Sequence, residues 1–328
     1  MEFRTFGRTG RTVSEIGFGG WAAGGDAWGP QEDADSRAAI HRALDLGCTV
    51  LDTALSYGQG HSERLIGRVL AERGLRDKVF IATKVPPRNG VWAPPPEQPI
   101  QAAFPNEHII ASCEQSLRNL GVESIDLLQL HTWSRSWEAA TEWCEAMDRL
   151  RRKGYIRSVG ISVRDEDPGE ANAHIRAGLV DAVQAVFNVL DQRAVNHLFP
   201  IAIGAAIAII ARSPLASGAL ASKWRTTHEF SEGDWRHEWA SPEWLEVAVE
   251  QAKRFCGVLE PRIEPTIAAL KFCLSFPCVS TVIPGMRNSR QSELNCSASD
   301  GQALPSALVS RVRSLFQEGY LHALPRVE

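Results

Sequence analysis

Eight short runs of β-branched and aliphatic residues recur along the 328-residue sequence, and longer amphipathic segments separate them. A repeated strand-then-helix unit is the pattern of a parallel sheet with helical crossover connections. Eight such units predict an α/β fold in which the sheet closes into a (β/α)8 TIM barrel. A barrel of this length commonly forms one domain, here residues 1–328. The predicted strands are residues 15–18, 49–52, 79–83, 125–130, 158–161, 182–186, 207–211 and 280–283.

The segments around these strands carry helix and turn signals. Residues 36–46 and 106–120 have apolar side chains at the spacing of one helical face, and a glycine follows each segment. Before the first barrel strand, residues 3–6 and 11–14 flank the turn Gly-Arg-Thr-Gly. This arrangement predicts an N-terminal β-hairpin that caps one end of the barrel.

Charge and cysteine content restrict the partners that this chain is expected to have. Lys and Arg total 35 against 39 Asp and Glu, for a formal charge of -4, which indicates neither nucleic acid nor a membrane surface as a partner. The longest apolar run, residues 200–211, is too short to span a bilayer, and the N-terminus does not resemble a signal peptide. Seven scattered cysteines without a Cys-x-x-Cys pair favour neither disulfides nor a metal site. We therefore expect a cytoplasmic protein that acts on a small molecule.

Two long loops follow predicted strands. Residues 86–105 contain seven prolines together with Trp92, and residues 223–242 contain Trp224, Trp235 and Trp239. Barrel enzymes build their sites from loops at the carboxyl ends of the strands, so both segments are candidate substrate walls. Surface excursions or contacts between subunits are the alternative interpretation, because interfaces also favour aromatic residues.

Four polar side chains lie at or just after the ends of consecutive predicted strands. Asp52 ends the second strand and Tyr57 follows it, Lys84 ends the third strand, and His131 ends the fourth. Each residue alone has an ordinary structural explanation, such as a loop cap, a packed ring, a solvated strand end or a buried imidazole. Since parallel strands of a barrel end at one mouth, the four together predict a shared site.

The chemistry available to this set is proton transfer to a carbonyl oxygen. The positive charge of Lys84 near Tyr57 is expected to lower the pKa of the phenol, so that it donates a proton near neutral pH. Asp52 would hold Lys84 as an ion pair, and His131 would orient or polarise the carbonyl oxygen. None of these side chains supplies a hydride, so the set requires a nicotinamide cofactor.

Several segments form a pattern that runs in order along nearly the whole chain. They are Leu51-Asp52-Thr53-Ala54, Tyr57-Gly58 through Gly67, Ile81-Ala-Thr-Lys84, Ser116 to Leu120, Asp126 to His131, Lys153 to Ser162, and Val282-Ile-Pro-Gly285 with Asn295. Together these segments resemble the aldo-keto reductase superfamily. The resemblance implies a barrel whose catalytic Asp, Tyr, Lys and His match Asp52, Tyr57, Lys84 and His131, with Tyr57 as the general acid.

The same resemblance implies residues that hold the cofactor, and we expect NADPH, with NADH as the alternative. Ser162 and Gln184 match positions that hold the nicotinamide carboxamide, although Val163 stands where the family often has Asn. Arg212 replaces a stacking aromatic residue, and a guanidinium plane can also stack. Trp21 is expected to line the pocket. The pyrophosphate loop would include Ser213, Pro214, Leu215, Ser217 and Gly218. The segment from Gly285 to Gln291 opens a helix, and a helix N-terminus with Arg287 and Arg290 suits the adenosine 2′-phosphate. Asn295 is a further expected cofactor-binding residue.

One glycine motif is not assigned to the cofactor. Residues 17–22 fit the pattern Gly-x-Gly-x-x-Ala, but the following Ala-Gly-Gly-Asp-Ala-Trp-Gly-Pro cannot open the helix that a dinucleotide fingerprint requires. We therefore predict a loop here.

Four functions remain open on the residues alone. The leading hypothesis is reduction of an aldehyde or ketone to an alcohol. A related enzyme would reduce an activated C=C bond of a sugar-like or secondary-metabolite substrate. A barrel aldolase would use Lys84 as a Schiff base, and a cofactor-binding sensor or regulatory subunit would bind the nicotinamide with little turnover.

Overall fold

The computed structural model describes residues 1–221 and 224–325, and in it eight parallel strands form one curled sheet. The strands follow one another in sequence order around the sheet, from β3 to β10. Parallel bridges from Ile16 to Val282 and from Gly19 to Gly285 join the two edges and close the barrel. The strands are β1 (Phe3–Thr5), β2 (Thr12–Ser14), β3 (Phe18–Gly19), β4 (Val50–Asp52), β5 (Phe80–Val85), β6 (Ile125–Leu130), β7 (Ile156–Ser162), β8 (Ala182–Val186), β9 (Ala208–Arg212) and β10 (Val279–Val282).

The barrel and its N-terminal hairpin confirm the predicted fold class, with local differences at strand ends. The first barrel strand is shorter than predicted, because Ile16 makes only an isolated bridge before β3 begins at Phe18. β5 continues to Val85, whose register pairs it with Leu130. Lys84 therefore lies inside β5 and does not end it.

Helices connect the strands on the outside of the barrel. Those in the predicted segments are confirmed, although α1 begins three residues before the predicted start at 36. In α4, Ile109, Cys113, Ser116 and Leu120 are buried at the spacing of one helical face. The helices are α1 (Asp33–Asp45), α2 (His61–Arg73), α3 (Ile100–Ala103), α4 (Asn106–Leu120), α5 (Glu142–Arg152), α6 (Asn172–Arg176), α7 (Ala194–His197), α8 (Phe199–Gly204), α9 (Arg236–Trp239), α10 (Pro242–Val258), α11 (Pro265–Leu274), α12 (Ser289–Cys296) and α13 (Ser306–Gln317).

The barrel interior is a packed apolar core, and the hairpin closes its N-terminal end. In β5, Phe80 and Ala82 belong to the interior cluster, whereas Ile81 belongs to the layer between strands and helices, as the two-residue period of a strand requires. Phe6, just after β1, is fully buried in the interior cluster with its ring centroid 4.5 Å from that of Phe80. Gly7 allows this approach, because its φ is +49° and a Cβ would overlap the backbone of Ala208.

The long connections lie at the other end, where the strands terminate. The Pro-rich loop, predicted at residues 86–105, contains the short helix α3. The Trp-rich loop, predicted at residues 223–242, contains α9. Lys223, the first residue of the predicted Trp-rich loop, lies outside the described residues. The segment 17–22 runs into a 3-10 turn and then a loop, as predicted, and the first α-helix begins at Asp33. No helix among the described residues is both long enough and apolar enough to cross a membrane.

Candidate active site

The four polar residues singled out in the sequence meet at the carboxyl end of the barrel. Asp52 is the last residue of β4, Lys84 lies near the end of β5, and His131 directly follows β6. The Nζ atom of Lys84 lies 2.6 Å from Oδ1 of Asp52 and 3.4 Å from Oη of Tyr57. The rings of Tyr57 and His131 are 5.5 Å apart in an edge-to-face arrangement. The side chains thus form one contiguous cluster.

Lys84 is fully buried, and its hydrogen bonds keep it charged. The ammonium group donates to Asp52, to the backbone carbonyl of Thr53 at 2.7 Å, and to Tyr57. Burial alone would lower the pKa of Lys84, but the negative charge of Asp52 and the hydrogen bonds raise it above its usual value. A protonated amine is a poor nucleophile, which disfavours the Schiff-base aldolase considered from the sequence.

Gln184 completes the support of Asp52. Its Nε2 atom, on β8, donates to Oδ2 of Asp52 at 2.8 Å, while Lys84 occupies Oδ1. Both carboxylate oxygens therefore have a donor in a site with almost no solvent access. Sequence reasoning assigned Gln184 only to the cofactor and missed this contact, since residues 132 positions apart in the chain leave no local signal of their proximity.

The pKa of Tyr57 differs from the sequence expectation. Burial penalises the phenolate and raises the pKa of Tyr57 above its usual value, although the charge of Lys84 acts in the opposite direction. The expectation that Lys84 would lower this pKa was wrong in its net sign, because desolvation outweighs the attraction of one ammonium group that Asp52 already pairs. Tyr57 is therefore a neutral phenol at neutral pH, which is the form that carries a proton to donate.

His131 is held as a neutral imidazole. Burial lowers its pKa well below the usual value, and the nearby positive charges of Lys84 and Arg212 act in the same direction. Its Nδ1 lies 3.3 Å from Oγ of Ser56, and its ring meets the edge of Trp92 at a centroid distance of 4.9 Å. A neutral imidazole at this place can donate one hydrogen bond to a carbonyl oxygen without adding charge to the site.

Both long loops contribute aromatic walls to the mouth of the barrel. Trp21 lies nearly parallel to Tyr57 at a centroid distance of 6.0 Å and packs against Trp28 and Trp235 at 5.1 and 5.2 Å. Trp92, from the Pro-rich loop, is 46% exposed beside His131. Trp92 thus borders the cluster directly, and Trp235 of the Trp-rich loop packs behind Trp21.

Several residues that the sequence assigns to the cofactor lie at or near the carboxyl ends of β7 to β9, next along the sheet from this cluster. Ser162 ends β7, Gln184 lies in β8 beside it, and Arg212 ends β9. Ser213 and Ser217 have φ values of 51° and 55° in the loop that follows. Backbone in this left-handed region turns its N–H groups toward a common point, which makes concavities that bind anions. The loop residues Pro214 and Leu215 lie between these turns, and Gly218 has a φ of 101°.

The other residues that the sequence assigns to the cofactor lie in or just before α12. Asn288 caps the helix by accepting from the backbone N–H of Gln291, whose own side chain accepts from the backbone N–H of Arg287. The guanidinium of Arg287 donates to the carbonyl of Pro30 and to Gln31, so it is already engaged. The exposed Arg290 makes no ion pair or side-chain hydrogen bond with residues 1–221 or 224–325. Asn295 donates to the carbonyl of Gly285 and fixes the turn that leads into the helix.

Arg236, within the Trp-rich loop, is a buried residue that sequence reasoning missed. Its Nη1 atom donates to the carbonyl of Ser217 at 2.8 Å, and the same guanidinium forms an ion pair with Asp234. It also stacks over the rings of Trp28 and Phe230 at 4.7 and 4.5 Å. The arginine therefore ties the Trp-rich loop to the loop of residues 213–218. The sequence did carry a signal for this role, because Arg236 is a cation among the aromatic residues of the Trp-rich loop.

Comparisons with known proteins agree with this fold and identify the family. The model of the aldo/keto reductase family matches residues 15–316. The aldo-keto reductase YhdN of Bacillus subtilis (strain 168) is 31% identical over 240 residues, 72% of this chain and 69% of that protein. The holo form of the aldo-keto reductase AKR11C1 from Bacillus halodurans is similar with a TM-score of 0.77 and 25% identity over 96% of each chain. The glycerol dehydrogenase AKR11B4 from Gluconobacter oxydans is similar with a TM-score of 0.74 and 25% identity, over 97% of this chain and 95% of that one. The chain belongs to the aldo/keto reductase family of oxidoreductases.

Proposed function

We propose that this protein reduces an aldehyde or ketone to an alcohol with a reduced nicotinamide cofactor, and that Tyr57 donates the proton. The observation that carries the proposal is the pairing of a half-buried, neutral phenol with a fully buried, charged lysine 3.4 Å away. The family uses NAD(P)H on small carbonyl compounds. A hydride donor and a proton donor are the two components that carbonyl reduction requires.

The residues act on the carbonyl oxygen in a defined order. The reduced nicotinamide, when bound, supplies the hydride to the carbonyl carbon. His131 and Tyr57 donate hydrogen bonds to the carbonyl oxygen, where negative charge develops. Tyr57 then transfers its proton to that oxygen, and Lys84 stabilises the resulting phenolate until solvent returns a proton. Asp52 and Gln184 keep the ammonium group in place.

The residues that the sequence assigns to the cofactor would each hold one part of it. Ser162 and the side-chain carbonyl of Gln184 would bind the carboxamide, the loop from Ser213 to Gly218 would bind the pyrophosphate, and Trp21 would border the nicotinamide. At α12, the helix N-terminus and the exposed Arg290 favour the additional phosphate of NADPH over NADH. Arg287 would act mainly by fixing the loop at Pro30 and Gln31, since those contacts occupy its guanidinium.

The aromatic walls indicate the kind of carbonyl that fits. The four residues Asp52, Tyr57, Lys84 and His131 are called the reactive cluster below. Trp21 and Trp92 lie beside it and expose 36% and 46% of their surfaces. Indole faces bind apolar rings and the C–H faces of sugars, so an extended or ring-shaped carbonyl compound suits the mouth better than a small, strongly charged one.

The test is the oxidation of NADPH and NADH by the purified protein with a panel of aldehydes, ketones and sugar aldehydes. We expect turnover with at least one panel member, and a loss of about 100-fold or more in kcat for Tyr57→Phe. Tyr155→Phe is the matched control, because Tyr155 precedes β7 at the other end of the barrel. No turnover with any carbonyl, or equal rates for wild type and Tyr57→Phe, would contradict the proposal.

A further inference from the structure

Arg212 places a positive charge between the reactive cluster and the loop of residues 213–218. It is the last residue of β9, and its register pairs it with Val186 of β8. Its Nη2 atom donates to the carbonyl of Val163 at 2.7 Å and to Oδ1 of Asp165 at 2.6 Å. These contacts hold the guanidinium beside the carboxyl end of β7, the strand that Ser162 terminates.

The ion pair between Arg212 and Asp165 is asymmetric in its exposure to solvent. The side chain of Arg212 is 22% exposed and that of Asp165 is 53% exposed. The Nε atom of Arg212 is buried and has no hydrogen-bond partner among the described residues. Water therefore screens the carboxylate more than the guanidinium. The guanidinium is the less exposed member of the pair, so its positive charge is the one that acts on the mouth of the barrel.

This charge acts inside the reactive cluster. Burial has the largest influence on the pKa values of both Tyr57 and His131, and the positive charge of Arg212 contributes a lowering influence to each. Both rings lie on the opposite side of the mouth from β9. The field of Arg212 thus extends across the space where a carbonyl and a hydride donor must meet.

The nicotinamide ring must lie next to Arg212 if the cofactor binds as proposed. Hydride transfer requires the donor carbon about 3–3.5 Å from a carbonyl carbon whose oxygen contacts Tyr57. The phosphates would lie at the loop that begins with Ser213, directly after Arg212. A dinucleotide that satisfies both conditions passes Arg212 between its phosphates and its ring.

We propose that Arg212 makes this site discriminate between the two oxidation states of the cofactor, binding the reduced form more tightly than the oxidised form. The inference rests on the proposed function. The oxidised nicotinamide ring carries a positive charge and the reduced ring is neutral, so a fixed guanidinium repels only the oxidised form. The consequence is rapid release of the oxidised cofactor after each turnover, which favours operation as a reductase.

The experiment measures the dissociation constants of NADPH and NADP⁺ by isothermal titration calorimetry without any carbonyl substrate. The quantity compared is the ratio of the Kd of NADP⁺ to that of NADPH in wild type and variants. Arg212→Gln removes the charge and is expected to reduce the ratio about tenfold, or about 1.4 kcal/mol. Arg212→Lys keeps the charge and most of the ratio. Asp165→Asn removes the screening carboxylate and is expected to increase the ratio.

Arg290→Gln is the matched control. It removes an arginine that would bind the adenosine 2′-phosphate, a group that both oxidation states share, so both affinities should fall by the same factor. Equal effects of Arg212→Gln on NADP⁺ and NADPH would overturn the inference while leaving the proposed function intact. If Arg212→Gln does not fold, Asp165→Asn decides, and an unchanged or reduced ratio would overturn the inference. Failure of the wild type to bind either cofactor would overturn the proposed function and the inference together.

Discussion

Replacing Lys84 with methionine should cost much of the protein's stability, because it leaves a buried carboxylate without its cation. Lys84 and Asp52 are 0% and 3% exposed, and their ion pair is 2.6 Å long. Breaking a buried ion pair by removing one partner costs about 3–5 kcal/mol. The carboxyl group can limit this cost by binding a proton, and at pH 7 protonating an ordinary aspartate costs about 4 kcal/mol. We therefore expect Lys84→Met to lose about 3–4 kcal/mol at pH 7.

The proton uptake gives this prediction a pH dependence with a defined sign. The folded variant binds a proton that its unfolded chain does not bind at pH 7, so its stability falls as pH rises. The deficit relative to wild type should shrink by about 1.4 kcal/mol for each unit that the pH is lowered from 7 toward 5.

Urea unfolding at pH 5, 6 and 7, followed by tryptophan fluorescence and far-UV circular dichroism, measures the deficit. Lys153→Met is the matched control, because Lys153 is 39% exposed and lies 3.6 Å from Glu114, so its loss should cost no more than about 0.5 kcal/mol. The double variant Asp52→Asn with Lys84→Met should recover much of the lost stability but no activity. A cost below about 1 kcal/mol at pH 7, or a cost that does not change with pH, would refute the reasoning.

Three further predictions test other parts of the molecule. Gln184→Leu removes the hydrogen-bond donor to Oδ2 of Asp52, and it should lower the free energy of unfolding in urea by about 1–3 kcal/mol and lower kcat. Unchanged stability would contradict the hydrogen bond between Gln184 and Asp52. Burial raises the pKa of Glu170 to about 7, so the stability of wild type should fall by up to about 3 kcal/mol as pH rises from 4.5 to 7. Glu170→Gln should not show this fall when thermal unfolding is measured across the same range. Parallel plots of stability against pH for wild type and Glu170→Gln would contradict this prediction. Phe6→Ala leaves a cavity at the N-terminal end of the barrel and should cost about 3–5 kcal/mol in the free energy of unfolding. It should not change kcat at 25 °C, because this end lies opposite Tyr57, and a large fall in kcat in the folded variant would contradict that separation.

The periodicity of the sequence was sufficient to predict the barrel, because each strand-helix unit carries its own apolar pattern. The strand at 125–130 has the predicted bounds, and the helix 106–120 does as well. The first barrel strand was less predictable, since Ile16 and Gly19 find their partners near residue 283 and nothing local fixes where that pairing begins. Lys84 lies inside β5 for the same reason, because pairing between Val85 and Leu130 extends the strand.

The members of the reactive cluster were predictable from their common position at strand ends, but their electrostatics were not. The sequence indicates that Lys84 can approach Tyr57, whereas the net direction of the Tyr57 pKa depends on how completely the phenol is desolvated. The contacts from Gln184 to Asp52 and from Arg236 to Ser217 also join distant segments. Such pairs become visible only when the barrel brings their strands and loops together.

The pH dependence of kcat/KM for NADPH-dependent carbonyl reduction, measured from pH 6 to pH 11, tests the central claim most directly. The account requires a neutral phenol at Tyr57 and a neutral imidazole at His131, with pKa values raised and lowered respectively by burial. The predicted profile is flat from pH 6 to about pH 10 and falls only above that, as Tyr57 loses its proton. A fall with a midpoint near pH 8 would mean that Tyr57 ionises too readily to be this acid, and a break near pH 6.5 would mean that His131 titrates; either result would contradict the account.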